Sequence, residues 1–192
     1  MSNEKDPSIL HFIQQRNSAI KLIAPAPSPK ELDQLIQAAL RAPDHARLKP
    51  ARFLTVSGDG LGRLGQLFVD ATEKNLDTAL SDEQKTDILA LTQRAPMILI
   101  PYAHLQNHPK VPEIEQKLSV ACAVQNILLG CESLGYQAIW RTGEMAYDAF
   151  VSQSLGLESN EVLLGFIYIG TQTGRVKPIP SYDNEDFIRD WP

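Results

Sequence analysis

Residues 112–142 read PEIEQKLSVACAVQNILLGCESLGYQAIWRT, and this stretch decides the class of the fold. Pro112 suits the opening of a helix, because its fixed φ matches the first turn and its missing N–H is not needed there. From 112 to 134 the pattern is helical, and its middle (Val120, Ala123, Val124, Ile127, Leu128) is apolar on most sides, as a central buried or interface helix requires. Gly135 ends the helix in the left-handed conformation that glycine favours. Gln137 to Trp140 then alternates as a strand. A long helix feeding directly into a strand predicts a domain in which strands are separated by helices rather than paired through tight turns.

The flanking sequence extends this pattern. Upstream, helices are expected at 8–15, 29–40, 61–80 and 82–94, with strands at 52–57 and 97–102. The helix at 29 carries the clearest signal: Ser28 as N-cap, Pro29 in the first turn and Glu31 completing a capping box. Downstream, a short helix at 147–155 precedes a strand at 162–169. Beyond 171 the chain is Pro-rich and irregular, yet it carries Tyr182, Phe187 and Trp191, which need a surface to bury against, either on the same chain or on a second subunit. The reading is one domain over residues 1–192, α+β or α/β, around a sheet of about four or five strands.

Composition narrows the function. An apolar share of 43% supports a packed core, and a net charge of -5 without a basic block argues against nucleic acid as a partner. Met1 to Pro7 lacks the pattern of a secretory signal, and polar residues interrupt the apolar run at 118–134, so no membrane span is expected. Cys122 and Cys131 lie about 13 Å apart along one helix, too far for a disulfide, which fits a reducing, cytoplasmic setting.

Several motifs suggest chemistry. Gly60-Leu61-Gly62-Arg63-Leu64-Gly65 spells G-x-G-x-x-G after a strand, but the following strand with an acidic end is missing. His104 and His108 have helical ligand spacing without a third ligand, so no metal site is expected. No nucleophile elbow or P-loop is present. What remains is arginines at element ends: Arg16 with Ser18, Arg41 before Asp44 and His45, and Arg141 with Thr142. Guanidinium forks beside small hydroxyls suit a phosphate ester.

At these residues the chain resembles the nitroreductase family, in its small YdjA-like branch. Arg16-Asn17-Ser18 resembles the family's early Arg-Arg-Ser turn, Arg41-Ala42-Pro43-Asp44-His45 the branch's "RAPDH" stretch after the second helix, and residues 121–135 its long helix. Ile139-Trp140-Arg141-Thr142-Gly143 resembles "IWRSG", and residues 164–170 its last core strand. The resemblance implies an α+β nitroreductase-like fold, with a mixed or antiparallel sheet surrounded by helices. It implies an intertwined homodimer with FMN at the subunit interface, and a C-terminal tail (171–192) packing on the partner. The implied function is an NAD(P)H-dependent oxidoreductase that passes a hydride through FMN to a small-molecule acceptor such as a nitroaromatic or quinone. By that likeness Arg16, Asn17, Ser18, Arg41, His45, Trp140, Arg141 and Thr142 contact FMN. Gly130, Cys131, Glu132, Ser133, Leu134 and Gly135 correspond to a stretch assigned to the nicotinamide nucleotide. No side chain is expected to be catalytic in itself, since the cofactor carries the chemistry. Two departures stand out: Lys49 replaces an amide residue and Ala51 an aromatic. Arg175 and Lys177 receive no role. The alternatives are a flavin carrier or sensor without fast turnover, and a Rossmann-type dehydrogenase using Gly60 to Gly65.

Overall fold

The computed structural model describes residues 7–191. Six helices and six strands follow in the order α1 (Pro7–Gln15), β1 (Leu22–Ile23), α2 (Pro29–Ala39), β2 (Ala51–Ser57), α3 (Asp59–Leu76), α4 (Asp82–Thr92), β3 (Met97–His104), α5 (Glu113–Ser133), β4 (Gln137–Arg141), α6 (Ala149–Ser154), β5 (Glu161–Leu163) and β6 (Phe166–Gln172). Two of the helices, α2 and α4, grow from a clear local signal. Ser28 and Ser81 both form capping boxes, with Glu31 and Gln84 respectively, satisfying N–H groups that the first turn leaves unpaired.

Strands β2, β3, β6 and β4 lie side by side, and every ladder among the described strands is antiparallel. The apolar run Met97 to Ile100 is explained by burial on both faces. Ile98 and Ile100 join Leu64, Phe68 and Phe166 beneath α3, whereas Leu99 joins Leu35, Val124 and Ile127 beneath α2 and α5. The sheet is therefore the middle of three layers, and α5 is the buried helix its pattern predicts. The single strand expected at 162–169 divides into β5 and β6. Pro101 in β3 has no N–H for its neighbour, so the ladder breaks opposite it, and Gly165 (φ +114°) makes the kink. A side chain at Gly165 would meet the carbonyl oxygen of Arg141 at 2.5 Å.

The helix expected at 61–80 runs over Asp59–Leu76, and a second helix, not a strand, follows it. With no parallel β-α-β unit among the described residues, the glycines of 60–65 cannot form a dinucleotide fingerprint. Gly65 serves packing instead: a Cβ on it would lie 2.8 Å from Thr92 Oγ1, where α3 crosses α4. The Rossmann alternative falls on this topology.

Apolar surface remains uncovered. Helix α1 buries no residue, and its Ile9 and Leu10 are about 60% exposed, as are Ile114 and Leu118 on α5. In the tail, Tyr182 stacks edge-on against Phe187 at 5.6 Å, yet both are mostly exposed, and Trp191 is 93% exposed.

Candidate functional site

The turn after α1 is built from its own polar side chains. Asn17 Oδ1 accepts the Ser18 N–H at 2.9 Å, and Arg16 Nη1 donates to Ser18 Oγ at 3.4 Å. The Asn17 amide also donates to the carbonyl of Lys177 at 2.7 Å, tying the start of the chain to its tail. The β1–β6 ladder reinforces that tie, with Leu22 opposite Gln172 and the Thr173 N–H donating to Lys21 O. The result is a hollow of about 130 Å³ lined by Ser18, Lys21, Gln172, Thr173, Arg175 and Lys177. No carboxylate lines it. Three cations around a hydroxyl, with Arg16 at that hydroxyl, form a donor set suited to a phosphate monoester.

The end of β4 lies on the same flank. Ala19, next to Ser18, donates its N–H to Ala138 O on β4 at 3.3 Å. Arg141 is three residues further along that strand, a rise of roughly 10 Å. Its guanidinium carbon sits 5.9 Å from the Tyr168 ring centroid. Burial pushes the Tyr168 hydroxyl up, and the positive charge of Arg141 opposes that shift. Trp140 donates its indole N–H to Leu164 O at 2.8 Å, fixing the ring at the β5–β6 kink. Thr142 is exposed beside it, before Gly143 in a left-handed turn.

The third arginine goes elsewhere. Arg41 lines a shallow groove of about 330 Å³ with Phe12, Asn126, Leu129, Gly130 and Ser133. Neither Arg16 nor Arg141 lines that groove. His45 is exposed in a short 3-10 turn after it, where Ala46 and Arg47 both have φ of +55° and Lys49 has φ of +52°. Asp44 holds this loop: its two oxygens accept the N–H groups of Leu48 (3.1 Å) and Lys49 (2.8 Å).

The stretch 130–135 is the last turn and cap of α5. Gly130 is required by packing, since a Cβ there would lie 2.7 Å from Leu35 Cδ2. Cys131 is wholly buried, and burial pushes its thiol up to about 12. Ser133 Oγ donates to Gly130 O at 2.8 Å, and Leu134 and Gly135 close the helix. Glu132 is distinctive, because its Oε2 is buried without a hydrogen-bond partner. Gly130 and Ser133 line the groove that holds Arg41.

The sequence profile described as "Nitroreductase family" matches residues 13–171. The chain belongs to the nitroreductase family. It is an oxidoreductase of that type, and the match runs from the end of α1 into β6, stopping just before Gln172, Thr173, Arg175 and Lys177 of the cationic hollow. Escherichia coli (strain K12) "Putative NAD(P)H nitroreductase YdjA" is 32% identical to it over 163 residues, covering 84% of this chain and 87% of that protein. Among solved structures, a nitroreductase-like family protein from Bacillus cereus superposes with a TM-score of 0.81 at 16% identity, covering 100% of this chain and 98% of the other. A Desulfovibrio desulfuricans protein, described as a "putative nitroreductase in complex with fmn", gives 0.70 at 19% identity, covering 98% and 99%. These structures share the fold of this nitroreductase-family protein.

Sequence reasoning missed Lys21 and left Arg175 and Lys177 without a role. Their signal was cations just before the two-residue strand β1 (Lys21) and just after β6 (Arg175, Lys177), a pairing that periodicity does not reveal. Among the described residues no group of three or more metal-ligating side chains occurs, and no helix is long and apolar enough to cross a membrane.

Proposed function

We propose that this protein is an FMN-dependent oxidoreductase that takes reducing equivalents from NAD(P)H and delivers them to a nitroaromatic, quinone or similar acceptor, working as a homodimer. The observation that carries this reading is the hollow at Ser18, where Lys21, Arg175 and Lys177 converge with no acid among them. That donor set fits the phosphate of FMN, and the names of the relatives above agree with a flavin and a nicotinamide donor. When bound, FMN would supply the two-electron chemistry.

The chain's own residues bind and orient. Arg16 and Ser18 hold the phosphate end, with Asn17 fixing the turn and locking the tail across it. Trp140, Arg141 and Thr142 border the ring end, where the guanidinium of Arg141 supplies a fixed positive charge. Arg41 and His45, which do not line this hollow in their own chain, reach the flavin of the partner subunit. The groove at Gly130 and Ser133 beside Arg41 is the place for the nicotinamide nucleotide. The apolar faces of α1 and α5 and the aromatic tail supply the contact between subunits.

An absorption spectrum of the purified protein tests the reading first. Flavin bands, release of FMN on denaturation, and NAD(P)H oxidation that requires an added quinone or nitroaromatic are expected. A colourless protein that fails to take up FMN would refute it, and a yellow protein without turnover would leave only a carrier or sensor.

A further inference from the structure

Between the second half of β2, the first turns of α3 and the end of α6 lies a cavity of about 410 Å³. Its wall belongs to the apolar layer beneath α3, on the other face of the sheet from α2 and α5. It shares no lining residue with the cationic hollow at Ser18 or with the groove at Arg41. Its volume falls in the range of small-molecule sites. Val56, Leu64, Leu67 and Leu155 make its wall aliphatic, with no aromatic ring among the lining residues.

Arg63 is the one charged residue lining this cavity. Asp59 stands one helical turn before it, the spacing at which ion pairs form along a helix. The two nevertheless make no ion pair within 4.0 Å, and Arg63 makes none with any other described carboxylate. The arginine folds back along α3 instead. A Cβ on Gly60 would lie 3.7 Å from Arg63 Nη2 and 3.2 Å from Val56 Cγ1. The guanidinium therefore stands at the corner where β2 meets α3, and glycine at position 60 keeps that corner open. The other polar residues at the cavity, Thr55, Ser57 and Ser154, carry no charge. A guanidinium fork matches a carboxylate with two parallel hydrogen bonds. One such fork beside an aliphatic wall selects an aliphatic chain ending in a single carboxylate, since a second negative charge would have no partner here.

We propose that this cavity binds a medium-chain aliphatic monocarboxylate, its chain against Val56, Leu64, Leu67 and Leu155 and its carboxylate on Arg63. The stretch 60–65, which carries no dinucleotide, thereby acquires a ligand of its own.

The test is calorimetric titration of the protein as isolated with octanoate and with its neutral analogue octanamide. Saturable octanoate binding is expected, with octanamide weaker by about tenfold, the worth of one charge-assisted contact. Arg63→Gln, an exposed change between two good helix formers, should remove most of that difference. Ser154→Phe, at the exposed end of α6, should fill the cavity and weaken both compounds by about tenfold or more, with its fold checked by circular dichroism. Absence of octanoate binding to the unaltered protein, equal affinity for acid and amide, an Arg63→Gln variant that still discriminates between them, or octanoate that binds only by displacing flavin would each overturn the proposal.

Discussion

Replacing Arg16 by alanine puts the phosphate assignment to a quantitative test. Arg16 is half-buried, with Nη1 3.4 Å from the Ser18 hydroxyl that lines the cationic hollow. A hydrogen bond to a charged group contributes about 1.5–3 kcal/mol, and partial exposure places Arg16 at the lower end of that range. About 1.5 kcal/mol corresponds to roughly a tenfold rise in the dissociation constant for FMN. The loss is not total, because Lys21, Arg175 and Lys177 remain at the same hollow. Fluorescence titration of flavin-stripped protein measures it, and riboflavin, which lacks the phosphate, is the control. Riboflavin affinity should change by less than about twofold, and the FMN effect should shrink as salt screens the charges. If Arg16→Ala weakens FMN and riboflavin equally, the residue supports the fold and not the phosphate, and the assignment fails.

Gly65→Ala forces a methyl against Thr92 Oγ1 and Leu89, and should destabilise the protein by about 1–3 kcal/mol in urea unfolding. Gly62→Ala, with open space around it, should be stabilising by about 0.5–1 kcal/mol; a nucleotide-binding loop would not tolerate it. The N–H of Glu158, followed by the His104 ring, holds the Glu161 carboxyl below its ordinary range. A depressed carboxylate contributes stability that is present above its unfolded value and lost as pH falls through its folded one. Glu161→Gln should therefore lower the urea midpoint at pH 7 and lose less of it on acidification than the unaltered protein does. The Cys131 thiol, pushed up to about 12 by burial, should resist a thiol reagent at neutral pH until the chain unfolds. Removing residues 178–192 should weaken self-association on dilution, and an unchanged dimer at nanomolar concentration would refute the role of the tail.

How much was legible can be judged residue by residue. The capping box at Ser28, the long buried helix ending at Gly135 and the strand after it are local or periodic signals, and the structure has them where the pattern put them. The β5–β6 break was less visible. Its cause is Pro101 on another strand, some sixty residues away, so no reading of 162–169 alone finds it. At the candidate site, Arg16, Ser18 and Arg141 stand out in sequence because hydroxyls and cations fall at element ends. Lys21, Arg175 and Lys177 do not, because the strands that juxtapose them lie about 150 residues apart.

The sequence by itself determined where helices begin and end, which faces are apolar, and, through its ordered turn motifs, the family to which the chain belongs. These properties depend on neighbours three or four residues away, and short-range sterics and hydrogen bonding settle them. Only the tertiary structure decided the antiparallel order of the sheet and the cationic hollow formed where the start of β1 meets the end of β6. Those follow from long-range pairing, in which a register or a crossover is chosen by the burial of both sheet faces together, a sum that no single segment carries.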